Sequence, residues 1–220
     1  MPSIDVQTAR FNMIEQQIRP WNVLDAGVLA LLASVRRDAF VPEAYKALAY
    51  ADMEIPLPGG QCMLAPRLEA RLLQDLAIQK TDKVLEIGSG SGFLTALLAH
   101  QAASVLSLEL LPELVALAKT NLQKAGISNA DVRQGDGAQG AAAHGPFDVI
   151  ILGGSVADVP QELLQQLKVG GRLGAVVGDE PVMRATFVTR NSATDLRTLQ
   201  PWDCDAPRLQ NFAQKSRFTF

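Results

Sequence analysis

The residues best suited to chemistry stand together at 86–92, where Glu86 and Ile87 lead into Gly88, Ser89, Gly90, Ser91 and Gly92. An apolar run ends there and a helical run starts at Phe93, so the chain must reverse from strand to helix. A turn without Cβ atoms bends tightly and lets a ligand lie against its backbone, and the nucleotide end of a ligand is the natural guest. A dinucleotide fingerprint would need its third small residue where Phe93 stands, and a phosphate loop would need a Gly-Lys-Ser/Thr that this stretch lacks. Neither pyrophosphate binder fits. About 20 residues beyond Gly88 a second apolar run, 104–108, ends in Glu109, where an acidic side chain can take both hydroxyls of a ribose.

The elements that must position these groups follow from periodicity. Phe11, Ile14 and Ile18 recur at helical spacing, and Arg19-Pro20 predicts the end of that helix. Asp25 predicts an N-cap for a helix over 26–35 with Leu29, Leu31 and Leu32 buried, after which Arg36-Arg37-Asp38 is expected to return to solvent. Between 40 and 66 repeated Pro and Gly forbid any long regular element, and long ordered loops in compact domains are often functional. Leu68, Leu72, Leu73 and Leu76 mark an amphipathic helix leading into the strand before the glycines. Strands are then expected at 131–133, 147–152 and 172–177, and helices over 112–125 and 160–167, with Pro112 and Gly126 as start and stop signals. Gly153-Gly154-Ser155 reads as a strand-end turn, and 184–189 with 196–200 reads as an antiparallel hairpin. The alternation predicts an α/β fold with a doubly wound, mostly parallel Rossmann-like sheet, whose ligands sit at the carboxyl ends of the strands. Glu86 to Gly92, Glu109, Asp136 and Gly153 to Ser155 all fall at such ends. One domain is expected over 1–220: N-terminal helices and a loop to residue 80, a core over 81–178, and a C-terminal hairpin extension over 179–220.

Composition narrows the function classes. The 220 residues are 48% hydrophobic and 20% charged with a net charge of −3, which is ordinary for a globular protein and does not recommend nucleic acid as a partner. No apolar run approaches the roughly 18 residues of a membrane span, and the first ten residues carry no basic region ahead of an apolar one, so a cytoplasmic location is expected. Cys62 and Cys204 are far apart, and His100 and His144 add no ligand spacing, so reduced thiols and no metal are expected.

Glu86-x-Gly88-x-Gly90-x-Gly92 resembles motif I of the class I methyltransferases that use S-adenosylmethionine. With it, Arg37 to Pro42, Ala49 to Asp52, Ile55-Pro56, Gly60-Gln61, Ala65-Pro66, Gly135-Asp136-Gly137, Pro146-Phe147-Asp148 and Gln166 to Leu173 match, in order, the protein-L-isoaspartate O-methyltransferases over roughly residues 10 to 178. The resemblance implies that S-adenosyl-L-methionine binds at Glu86, Ile87, Gly88, Ser89, Gly90, Gly92, Glu109, Leu110, Asp136 and Gly137. In that assignment the glycines line the methionine and ribose side, Glu109 holds the ribose hydroxyls, and Asp136 with Gly137 faces the adenine. It implies methylation of isoaspartyl carboxylates in damaged protein or peptide.

The family's loop usually reads G-Q-T-I-S, with the serine beside the reacting carboxylate; here it reads Gly60-Gln61-Cys62-Met63-Leu64. The catalytic candidates are therefore Gln61, Cys62 and the position of Leu64, which cannot hydrogen-bond through its side chain. Cys62, beside two apolar residues, also reads as a small buried hydrophobe, and His144 as a solvated loop residue. Two alternatives stay open: a methyltransferase of this fold with another acceptor, such as a small molecule, and a cofactor-binding module without turnover. The sequence leaves the oligomeric state unknown.

Overall fold

The computed structural model describes residues 5–214. Its first helix, α1 (Val6–Asn12), runs into a π turn over Met13–Ile18 and a 3-10 turn over Arg19–Trp21. The wider π turn rotates the buried stripe, so Met13, Ile14 and Ile18 go inside while Phe11 stays 62% exposed, against the expectation from its spacing. Pro20 lies within the first residues of the short 3-10 turn, where its missing N–H costs nothing. Helix α2 (Ala26–Ser34) starts as expected, with the Asp25 carboxylate accepting from Val28 N at 2.8 Å.

The Pro-rich stretch holds two-residue strands, β1 (Ile55–Pro56) and β2 (Cys62–Met63), paired antiparallel as a miniature hairpin that carries Gln61 at its turn. Then come α3 (Pro66–Leu76), β3 (Lys83–Ile87), α4 (Phe93–Gln101), β4 (Ser104–Glu109), α5 (Pro112–Lys124), β5 (Ala130–Gln134) and β6 (Phe147–Val156). A four-residue α6 (Gln161–Leu164) precedes β7 (Leu167–Asp179), β8 (Val182–Arg190) and β9 (Leu196–Asp203). The helix expected over 160–167 is thus shorter, because Gln166 leaves it to accept from Ala141 N and donate to Gln139 O. Gly153-Gly154-Ser155 is not a turn but an irregular stretch inside β6, where register shifts between Ile151 and Ser155.

Strand order in the seven-stranded sheet is β5-β4-β3-β6-β7-β8-β9, parallel up to β7 and antiparallel beyond it. The chain runs outward from β3 to β5 and then returns to β6, so strand order reverses between β3 and β6. In such sheets the connections that leave the strand ends at a reversal run to opposite faces and open a crevice beside them. One apolar face packs against α2, α3 and α4, and the other holds Leu85, Ile87, Phe147, Ile150 and Leu152 with Leu163 and Phe212. Arg172 fixes the far end of α3: its guanidinium donates to Leu76 O and Ala77 O and pairs with Asp82, so orphan helix carbonyls are satisfied.

Candidate functional site

The glycine loop joins β3 to α4, with Gly88, Gly90 and Gly92 at φ of +90°, +53° and +86°, a region L side chains rarely enter. A Cβ on Gly90 would stand 3.2 Å from Leu57 Cδ1, so the loop is roofed by the β1–β2 hairpin. Glu109 ends β4, and its two carboxylate oxygens accept from Gly90 N at 2.9 Å and Leu111 N at 3.0 Å. Each oxygen keeps a further lone pair for a ligand hydroxyl. A cleft lies over these groups. Of the residues singled out in the sequence, it brings together Gln61, Cys62, Ile87, Gly88, Gly90, Glu109, Leu110, Asp136 and Gly137.

Glu86, Ser89, Gly92 and Leu64 do not line that cleft. Glu86 is fully buried beneath it, one oxygen accepting from Thr95 Oγ1 and Ser107 Oγ at 2.5 Å each while the other has no partner among the described residues. Burial pushes its carboxyl up to about 7; the two hydroxyls pull it down, and the charges of Glu69 and Glu109 push it further up. Ser89 continues this network through a 2.5 Å contact between its hydroxyl and that of Ser107. Glu86 and Ser89 therefore stiffen the loop from below. Gly92 instead meets α5, where a Cβ would crowd Ala118.

Leu64 is 5% exposed and belongs to the hydrophobic core, so its side chain packs more than it contacts solvent or ligand. Its carbonyl accepts from Arg37 Nη2 at 2.6 Å. Arg37 does not return the chain to solvent, as its neighbours suggested: it is 0% exposed, pairs with Glu69 at 2.5 Å and lies over the Phe93 ring at 4.8 Å. That arrangement ties the hairpin, α3 and the start of α4 to one cation, and buried ion pairs of this kind fix geometry more than they add stability. Burial pushes Glu69 up to about 7 while Arg37 pulls it back. Cys62 is half-buried, and burial together with the Glu54 carboxylate 3.7 Å away pushes its thiol up to about 12, so it is a neutral wall group.

Asp136 follows β5, accepting from Ala138 N and from Asn211 Nδ2, both at 3.0 Å. Asn211 comes from a segment read in sequence as part of a hairpin extension. After β9 the chain turns back: Ser155 N donates to Pro207 O at 2.7 Å, Leu209 N donates to Ser155 O at 2.9 Å, and Leu209, Gln210 and Phe212 form one wall of the cleft. Ser155 is wholly buried in this contact, with its hydroxyl unpartnered among the described residues. His144 is exposed and ends a 3-10 turn over Ala142–His144, its Nε2 2.7 Å from Arg133 Nη1.

Residues 8–200 match the family model described as protein-L-isoaspartate(D-aspartate) O-methyltransferase. The chain belongs to that family. Among protein-L-isoaspartate O-methyltransferases it is 40% identical to the one from Koribacter versatilis over 89% of this chain and 87% of the relative. It is 41% identical to the Methanoculleus marisnigri relative over 77% of each. A Plasmodium falciparum crystal structure, described as this methyltransferase in complex with S-adenosyl-L-homocysteine, shares the fold at a TM-score of 0.79 and 20% identity, over 94% of this chain and 99% of that one.

Within the protein-L-isoaspartate O-methyltransferase fold, the site residues missed by sequence reasoning are Arg37, Glu69 and 209–212. A charged residue beside Arg36 and Asp38 has the local signature of a surface, and Glu69 is flagged only by falling on the apolar side of α3 between Leu68 and Leu72. Among the described residues no helix is long and apolar enough to cross a membrane.

Proposed function

We propose that the protein transfers a methyl group from S-adenosyl-L-methionine to the free carboxylate of an isoaspartyl residue in damaged protein or peptide. The observation that carries this reading is a single cleft lined from two sides. Gly88, Gly90 and Glu109 come from the sheet, and Gln61 and Cys62 come from the hairpin above it.

The residues present fit the cofactor. A bare backbone at Gly88 and Gly90 admits close approach, the free lone pairs of Glu109 suit a ribose diol, and Leu110, Asp136 and Gly137 offer an apolar side and a polar rim to a purine. Bound there, the cofactor supplies a sulfonium-activated methyl group. The acceptor carboxylate is already charged, so the chain has to position it rather than deprotonate it. Gln61 holds it from the hairpin turn through its side-chain amide, the neutral Cys62 thiol excludes water without competing for the methyl group, and Arg37 keeps the hairpin in place through the Leu64 carbonyl. The resulting ester is open to attack by the following backbone nitrogen, which expels methanol and closes a succinimide.

Incubation with radiolabelled S-adenosyl-L-methionine and an isoaspartyl peptide, with the aspartyl peptide as control, tests this: base-labile label is expected on the isoaspartyl peptide alone. Glu109→Ala should weaken binding of S-adenosyl-L-homocysteine by about ten- to a hundred-fold, the size of a hydrogen bond to a charged acceptor. Label on neither peptide, or wild-type affinity in the variant, would overturn the respective assignment. A second reading, another and less polar acceptor, is favoured by Met63, Leu64, Phe93 and Leu94 lining the recess below Cys62. Transfer to a cell extract but not to the isoaspartyl peptide would favour it.

A further inference from the structure

A second groove, separate from the nucleoside cleft, runs between the amino end of α3 and strands β8 and β9. Trp21, Met53, Leu68, Met183 and Trp202 give it an apolar lining. Trp21 and Met53 are 42% and 41% exposed, so the fold leaves this lining open. Contiguous exposed apolar surface marks a binding face, and Trp, Met and Arg are the residues that such faces favour. Two arginines one turn apart on α3 lie flat in it, Arg67 4.0 Å over the Trp21 ring and Arg71 4.3 Å over the Trp202 ring. Trp202 is fixed in turn by its Nε1, which donates to Asp75 at 2.7 Å. The walls are therefore set before anything binds, which lowers the ordering cost of association.

The charges along the groove do not cancel. Asp52 is paired with Arg67 at 3.1 Å and Asp203 with Arg184 at 3.0 Å. Glu54 and Asp205 have no ion pair among the described residues, and in the lining only the guanidinium of Arg71 is left to oppose them. Both acids also line the adjoining hollow, where Glu180 is a third. An acidic end beside an aromatic wall complements a stretch of polypeptide that carries one large apolar and one basic side chain. Glu54 also joins the groove to the methyl-transfer cleft, because its Oε2 lies 3.7 Å from the Sγ of Cys62, which lines that cleft. An extended chain advances about 3.3 Å per residue, so a polypeptide whose carboxylate is held at Gln61 and Cys62 reaches Glu54 within a residue or two.

We propose that this groove docks the polypeptide flanking the methylated residue and selects among damaged sites by their neighbours, seating a large apolar side chain against Trp21, Met53 and Trp202 and a basic one at Glu54 and Asp205; this rests on the acceptor reading of the preceding section. Trp21 and Asp205 are then specificity-determining residues for sequence context, and neither lines the nucleoside cleft.

Steady-state methylation of isoaspartyl peptides of equal length tests the inference. Their flanks carry Phe with Lys, Phe with Glu, Ala with Lys or Ala with Glu, each pair set once before and once after the isoaspartyl residue. On one of the two sides, KM should be lowest for Phe with Lys and at least about ten-fold higher for Ala with Glu, with kcat equal, because flank contacts are the same in the ground and transition states. Trp21→Ala should remove the advantage of Phe. Asp205→Asn should cut that of Lys about five-fold, as should about 0.5 M salt. Both variants should bind S-adenosyl-L-homocysteine within about two-fold of wild type, and the wild-type comparison decides without them if either fails to fold. KM values within about two-fold of one another in wild type, or preferences that survive both variants, overturn the inference while the acceptor reading stands. A dimer in gel filtration that Trp21→Ala dissociates would then give the groove to a second copy. No turnover on any isoaspartyl peptide removes the acceptor reading, and this inference falls with it.

Discussion

Leu64→Ser puts the family's serine hydroxyl back at the last of the three catalytic-loop positions where this chain departs, Cys62, Met63 and Leu64, and the structure sets two opposing magnitudes for it. Leu64 is 5% exposed and packs in the main apolar cluster, so shortening it removes buried side-chain area and leaves a cavity. Large-to-small changes at such sites cost about 2–5 kcal/mol, and a chain of this size loses about 2–4 °C of Tm per kcal/mol. The variant should therefore melt about 10 °C lower. The backbone should hold, because Arg37 grips the Leu64 carbonyl rather than its side chain. A hydroxyl at that point can donate to the acceptor carboxylate, and a hydrogen bond to a charged group, worth about 1.5–3 kcal/mol, corresponds to roughly a 10- to 100-fold gain in kcat/KM. Thermal unfolding followed by circular dichroism gives the first quantity. Methyl transfer to an isoaspartyl peptide at 20 °C, far below either transition, gives the second. A Tm within a degree of wild type would refute Leu64 as a core residue. Flat or lost turnover in a folded variant would refute the loop as a site for carboxylates and favour an acceptor that touches Leu64 itself.

Two further outcomes follow from burial around the glycine loop. Glu86 rises from 4.5 unfolded to about 7 folded, so its neutral form is the stabilising one: that contribution is complete below pH 4.5 and is lost as pH rises through about 7. At about 1.4 kcal/mol per unit this amounts to roughly 3 kcal/mol, so Glu86→Gln should narrow the stability gap between pH 5 and pH 8, measured by urea unfolding, by about that much. An unchanged gap would place the titration elsewhere, Glu69 being the other group displaced in the same direction. Gly137→Ala would set a Cβ 2.2 Å from Ile87 Cγ2, so Ile87, which lines the cleft, must shift. Calorimetry should then show S-adenosyl-L-homocysteine binding at least about ten-fold more weakly, with a stability loss of about 1–3 kcal/mol; wild-type affinity would mean that Ile87 yields away from the ligand.

The parallel core was legible because its signals are local. Apolar runs of strand length, glycines where a backbone must bend, and an acid at a strand end each act within a few residues, and β3, the glycine loop, β4 and Glu109 lie where those signals put them. What sequence reasoning missed depends on partners far along the chain. Arg37 is inside only because Glu69 and the Leu64 carbonyl, both distant in sequence, meet it there. The Gly153–Ser155 stretch reads as a turn because glycines usually make one, yet the chain runs on as strand beside the returning segment at 207–209. A Cβ on Gly153 would stand 2.7 Å from Gly88 O, so that glycine marks two strands in close approach rather than a bend. Leu64 was visible as a departure in chemistry, but its second role, filling the core, was not.

The returning segment also dictates an order of events during synthesis. Leu209, Gln210 and Phe212 wall the cleft, Asn211 bonds to Asp136, and Arg208 pairs with Asp179 while donating to Gly178 O. Chains emerge from the ribosome amino end first, at about 5–20 residues per second, so the sheet from β3 to β7 can form while these residues are still inside the exit tunnel. A nascent chain at that stage already has the glycine loop and Glu109 but only part of a pocket. Ligand capture is thereby postponed until residues 205–214 have been released and have docked against Ser155. Nascent chains stalled with residues 205–214 still inside the tunnel should carry a sheet that resists protease while failing to retain the nucleoside.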